Sequence, residues 1–141
     1  MKTLIARLLV PALAVLLLTA CGSMGGATKR SPRDQTLYSY VSAVRWSDFE
    51  AAEAFIDPAL REAEPLTDLE MERYKQFQVS GYEVKGSTEV AEDRYEQIVE
   101  IRVVNRNTQV ERIVTDRQEW RWDAEAKRWW LMSGMPDLEP R

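Results

Sequence analysis

Arg94-Tyr95-Glu96-Gln97-Ile98-Val99-Glu100-Ile101-Arg102-Val103-Val104 is the stretch on which the fold turns. In an extended chain Tyr95, Val99, Ile101 and Val103 fall on one side, and Arg94, Glu96, Glu100 and Arg102 on the other. That is a strand with one face on a core and one in water. Three further segments, Tyr74 to Val90, Gln109 to Asp123 and Arg128 to Met132, share its enrichment in β-branched and aromatic residues, which predicts four strands. Gly81 and Gly86 mark bulges or a division within the first. Turn-forming residues fill Asn105 to Thr108 and Asp123 to Lys127, so the last three strands are expected to be consecutive antiparallel hairpins.

Upstream, the period changes. Leu37, Tyr40, Val41 and Val44 recur at the spacing of one helical face, with Asp34 placed to cap its start. Ser47 and Glu50 stand in the capping-box relation, so a second helix is predicted from Asp48, with Phe49, Ala52, Phe55 and Ile56 as its buried face and Pro58 after its end. Thr67 and Glu70 repeat the pattern before a short helical turn over Asp68 to Arg73. The expected architecture is α+β: N-terminal helices packed on a curved antiparallel sheet of about four strands.

The capped kink Val44-Arg45-Trp46-Ser47-Asp48-Phe49-Glu50-Ala51-Ala52, followed by long strands that end in Trp120-Arg121-Trp122 and Trp129-Trp130-Leu131, resembles small exported members of the nuclear-transport-factor-2-like superfamily. The likeness spans about Asp34 to Ser133 and rests on element order and aromatic placement. It implies a cone-like sheet whose mouth holds a ligand, an active site, or only side chains. A cystatin-like arrangement, one main helix on a sheet, is the alternative.

Ahead of this domain, Lys2 and Arg7 are the only charges before an uncharged apolar run from Leu8 to Ala20 that includes Pro11. A positive end, a short apolar core and small residues before a cut make a secretory signal, and the run falls short of the roughly 20 residues that span a bilayer. Leu18-Thr19-Ala20-Cys21 resembles the bacterial lipobox, which implies cleavage between Ala20 and Cys21 and acylation of Cys21. An ordinary signal cut would instead leave Cys21 as a free thiol with no second cysteine to pair with. Gly22 stands where aspartate would, in the enteric sorting rule, retain a lipoprotein on the inner membrane. The expected location is therefore the inner leaflet of the outer membrane, facing the periplasm. The organisation expected is a signal at 1–20, a lipidated flexible tether at 21–33, one domain at 34–136 and a loose tail at 137–141.

Composition narrows the chemistry. The chain has 19 basic and 23 acidic residues, and loss of Lys2 and Arg7 with the signal makes the remainder more acidic than the net −4 of the whole. Such a domain does not suit a phosphate backbone, so no nucleic-acid partner is expected. With no histidine and a single cysteine, it lacks the commonest general base and the ligand set of a structural zinc site, and no cofactor or metal is expected. A carboxylate base would fall to Asp48, near the kink, or to Asp116, which shares a strand face with Val114, Gln118 and Trp120. Both also have structural roles open to them: Asp48 at a helix start, and Asp116 paired with a cross-strand arginine. Trp120 and Trp122 share one face, whereas Trp129 and Trp130 must face opposite ways. At least one of that pair is expected outside the core, and the four tryptophans are candidates for an interface, a sugar or the lipid headgroup layer, with core packing and cover by the stems of Arg121 or Arg128 as the structural alternative. The expected function is a non-catalytic, membrane-anchored accessory or binding module with an envelope protein as partner. A cone that binds a small apolar ligand, or a carboxylate-dependent isomerase or dehydratase, is the alternative.

Overall fold

The computed structural model describes residues 30–139. The expected signal at 1–20, the Ala20-Cys21 cut, the Cys21 anchor and the tether as far as residue 29 lie outside the described residues. Helix α1 (Pro32–Arg45) starts earlier than the sequence suggested. Pro32, with its φ already helical, takes the first turn, and Ser31 rather than Asp34 caps it, accepting from the Asp34 amide at 3.1 Å.

The kink is built differently from a capping box. Ser47 adopts φ 58°, and its hydroxyl is taken by the Val79 amide at 3.0 Å, which fastens the kink to the sheet. Asp48 therefore caps α2 (Phe49–Glu53), accepting from the Ala51 amide at 3.1 Å. That helix lasts only five residues, so Phe55 and Ile56 lie past its end. Pro58, expected to follow a helix, instead opens one, α3 (Pro58–Ala63), whose cap Asp57 accepts from the amides of Ala59 and Leu60. The capping box of Thr67 and Glu70 forms at the head of α4 (Asp68–Tyr74).

The strands are β1 (Phe77–Ala91), β2 (Arg94–Asn105), β3 (Glu111–Asp123) and β4 (Arg128–Leu131), joined in the order β1-β2-β3-β4 with every neighbour antiparallel. The domain is thus α+β, helices with a four-stranded meander. β1 is continuous, but its register against β2 slips at three places, between Val79 and Gly81, Val84 and Gly86, and Glu89 and Ala91. Val99, Ile101 and Val103 of β2, Val114 and Trp120 of β3, and Trp129 and Leu131 of β4 share one core with Tyr40 and Val44 of α1 and Phe49 and Ala52 of α2. The helices cover that face.

The two edges of the sheet differ. Along β4, Ile56 forms a parallel bridge to Leu131, with Leu131 N donating to Phe55 O at 2.8 Å and Asp57 N to Leu131 O at 3.0 Å. β1 forms the opposite edge, and from Glu83 to Ala91 it is exposed. The packed domain also continues beyond Pro136: Leu138 is buried in the core, and the Tyr74 hydroxyl donates to Pro136 O at 3.0 Å. The loose tail expected from residue 137 is corrected for 137–139, because Leu138 supplies apolar surface that the core takes up.

Candidate functional site

Antiparallel register brings four polar side chains together on the covered face. Gln97 lies directly opposite Gln118, and Asp116 opposite Val99. The Gln97 amide donates to Gln118 Oε1 at 2.6 Å, and Gln118 Nε2 donates to Asp116 Oδ2 at 2.6 Å. From β1 the Tyr82 hydroxyl reaches both ends of the same amide, 3.1 Å from Nε2 and 3.2 Å from Oε1. Gln97 and Gln118 are buried, so the bond between them is made away from water, while those to Tyr82 and Asp116 are half-buried.

Aromatic rings flank this cluster. Tyr40 of α1 meets Trp120 edge to face, with centroids 5.2 Å apart, and meets Phe55 at 5.7 Å. Among the described residues, neither the Tyr40 hydroxyl nor Trp120 Nε1, both buried, has a hydrogen-bond partner. Burial, followed by the negative charge of Asp116, holds the Tyr40 phenol well above its ordinary value. The Tyr82 phenol is raised too, by burial first and against the hydrogen bond to Gln118. Tyr74, in contact with Phe49, is pushed up to about 12, mainly by burial.

Asp116 follows the same rule. Burial raises its carboxyl above the usual range, and the Gln118 hydrogen bond offsets part of that. The expected pairing with a cross-strand arginine does not form: Asp116 lies on the covered face opposite Val99, and the adjacent Arg117 is exposed. A carboxyl that keeps its proton longer in the folded state than in the unfolded chain lowers stability as pH rises through the usual carboxyl range to the folded value. Below that range it has no such effect. Asp116→Asn keeps an acceptor for Gln118 and removes the charge. It is expected to melt higher than the parent at about pH 7.5, with the difference shrinking towards about pH 3. Thermal unfolding at both pH values checks this, and a difference that does not change with pH would count against a buried, proton-retaining Asp116.

The other sequence candidates are scattered. Asp48 is exposed and serves as the α2 cap. Trp120 and Trp129 are buried in the core and Trp122 packs against it, with the Trp122 and Trp129 rings 5.9 Å apart. Trp130 lies outside that core yet is 8% exposed: the Arg128 guanidinium sits 3.9 Å over its ring, and its Nε1 donates to Asp123 Oδ2 at 3.3 Å. Nearby in the sheet, Arg121, paired with Trp130 in register, donates to the buried Asp57 at 2.8 Å.

The structure therefore keeps Asp116 and Trp120 on one covered face of β3 and leaves Asp48 and Trp130 elsewhere. Tyr40, Tyr82 and Gln97 were not singled out from sequence. Gln97 was within reach of it, since it falls between Tyr95 and Val99 in the same alternation. Tyr82 was not, because the slip after Val79 resets the count along β1. Among the described residues no group of three or more histidine, cysteine or carboxylate side chains could hold a metal ion.

No family model matches the chain, and no curated protein matches it. Two solved structures are similar. One is the solution structure of a SEC-C motif containing protein from Rhodopseudomonas palustris, with a TM-score of 0.58 and 20% identity over 78% of this chain and 84% of that one. The other is the crystal structure of a SEC-C motif containing protein from Psychrobacter arcticus, with a TM-score of 0.56 and 10% identity over 77% of this chain and 63% of that one. At these identities the likeness is one of fold.

Proposed function

We propose that this chain is a lipid-anchored accessory module of the bacterial cell envelope that meets its partners on its outside rather than through an interior reaction. The anchor rests on the order of Lys2 and Arg7, the apolar run and Leu18-Thr19-Ala20-Cys21. The structural observation behind the non-catalytic half is the occupancy of the covered face. Gln118 spends both ends of its amide on Gln97, Tyr82 and Asp116, so the one buried carboxyl of the cluster is already bonded inside the protein. Gly22 after the cysteine favours the outer membrane, facing the periplasm.

Expression of the full chain in a Gram-negative host tests the anchor. The expected result is a protein in the membrane fraction whose N-terminal peptide carries acyl groups on Cys21, and a Cys21→Ser chain that leaves that fraction. An unmodified Cys21 thiol in the wild type would overturn it. Crosslinking in the envelope then tests the accessory role, with Cys21→Ser as control and one specific protein expected.

A second reading has its own observation. Among the described residues the Tyr40 hydroxyl and Trp120 Nε1 are buried donors without partners, and burial raises the carboxyl of Asp116 on the face they cover. Register slips such as the three along β1 are a means by which a sheet bends, which supports the cone-like reading. This suits a small, mostly apolar ligand carrying one acceptor, and is the form in which the likeness to the nuclear-transport-factor-2-like superfamily enters. A ligand that raises the melting temperature of the wild type and of Tyr82→Phe, but not of Tyr40→Phe, would favour it.

A further inference from the structure

Trp46 is 83% exposed, and Tyr38, two turns earlier on α1, is 60% exposed. Large aromatics are seldom left in water to this extent, least of all in a domain that buries Trp120, Trp129 and Trp130. The two rings border one open cleft between α1 and the start of β1, together with Val41, Ser42, the exposed Arg45, Val79 and Ser80. The Arg30 guanidinium lies over the Tyr38 ring, 4.3 Å from its centroid.

Resting on the lipoprotein reading above, we infer that this face of α1, Arg30, Tyr38, Arg45 and Trp46, is the surface that the domain lays on the headgroup layer of an anionic phospholipid bilayer.

Three observations select that occupant. First, the described chain begins at Arg30, on the patch itself, and only eight residues separate Arg30 from Cys21. Eight residues reach at most about 30 Å, so an anchored Cys21 holds this side of the domain at the membrane. Second, the local charge opposes the global one. Arg30 and Arg45 both stand beside these rings in a chain of net charge −4, and the sequence of residues 22–29 holds one lysine and no acid. Nearby acids are engaged: Asp34 lies against Arg33, Asp48 accepts from its own helix, and Glu83 and Glu100, which share a cleft with Arg45, pair with Lys85. Basic side chains near an anionic surface contribute about 1 kcal/mol each. Third, tryptophan and tyrosine rings beside arginine match the chemistry of the interface, which takes an apolar ring and a polar edge at the same depth.

The test uses the full-length acylated protein in vesicles of phosphatidylcholine and phosphatidylglycerol, with bromine on the upper acyl chains as a contact quencher. Mass spectrometry of the same preparation reads Cys21. The expected result is quenching of wild-type tryptophan emission, lost in Trp46→Phe and reduced in the Arg30→Gln, Arg45→Gln pair or when phosphatidylglycerol is omitted. Acylated protein with unquenched Trp46 would overturn the surface while leaving the anchor intact, and would turn attention to a protein partner for the same rings. Unacylated protein whose Trp46 is still quenched on the vesicles would keep the surface and remove the anchor. Unacylated and unquenched protein would end both.

Discussion

Trp120→Ala is expected to cost about 3–5 kcal/mol, most of the margin of a small domain. Trp120 is 1% exposed and the largest fully buried side chain. It lies between Tyr95 on β2 and Leu131 on β4, and its ring takes the edge contact of Tyr40 from α1. Truncation removes the wedge between helix and sheet, and a neighbour as rigid as the Tyr40 ring does not move to fill the cavity. With about 4–8 °C of melting temperature per kcal/mol, the midpoint is expected to fall by about 15 °C or more. Trp46→Ala, with its ring in solvent, should stay within about 0.5 kcal/mol. Calorimetry of the two variants side by side checks the contrast, and comparable melting points would mean that the Trp120 ring is not the wedge.

Gln118→Met is expected to cost about 3 kcal/mol although it conserves volume. It removes the acceptor of the Gln97 amide, the donor to Asp116 and both contacts of the Tyr82 hydroxyl. Each buried polar group left unsatisfied costs about 1–3 kcal/mol, with Tyr82 and Asp116 at the low end because they are only half-buried. Two consequences distinguish this from a packing defect. Adding Gln97→Leu should recover part of the loss, since an amide with no partner is worse than no amide. The loss should also grow with pH, because Asp116 gives up the one hydrogen bond that holds its carboxyl down against burial. Strict additivity in the double variant, with no pH dependence, would remove the cluster as a cooperative unit.

What was legible in the sequence was whatever depends on period alone. Alternation along β2 and β3 put Val99, Ile101, Val103, Val114, Asp116, Gln118 and Trp120 on the face that is covered, and Trp129 and Trp130 on opposite faces. Local capping was legible where nothing distant interfered, as at Thr67 and Glu70. It failed at Ser47, whose hydroxyl is claimed by Val79 from β1, so that the cap moved one residue on to Asp48. At Asp57-Pro58 the same dipeptide serves as a stop or as a start, and the choice was made by Leu131, which pins Asp57 to the sheet edge. Cover of the outer tryptophan by an arginine was legible, and Arg128 supplies it over Trp130, whereas the indole bond to Asp123 is a matter of three-dimensional neighbours.

The bridge from Ile56 to Leu131 has a consequence in time as well as in space. The meander can form hairpin by hairpin, each pairing joining neighbours in the chain. By contrast, the segment from Phe55 to Asp57, which carries the cap of α3, finds its backbone bonds to the sheet on β4, the last strand to be made. A chain that emerges N-terminus first therefore has its helical residues waiting, without their seat, until the final few dozen residues follow. Contacts of such long sequence separation are slow to close, which makes the joining of residues 55–57 to β4 the expected late step of folding.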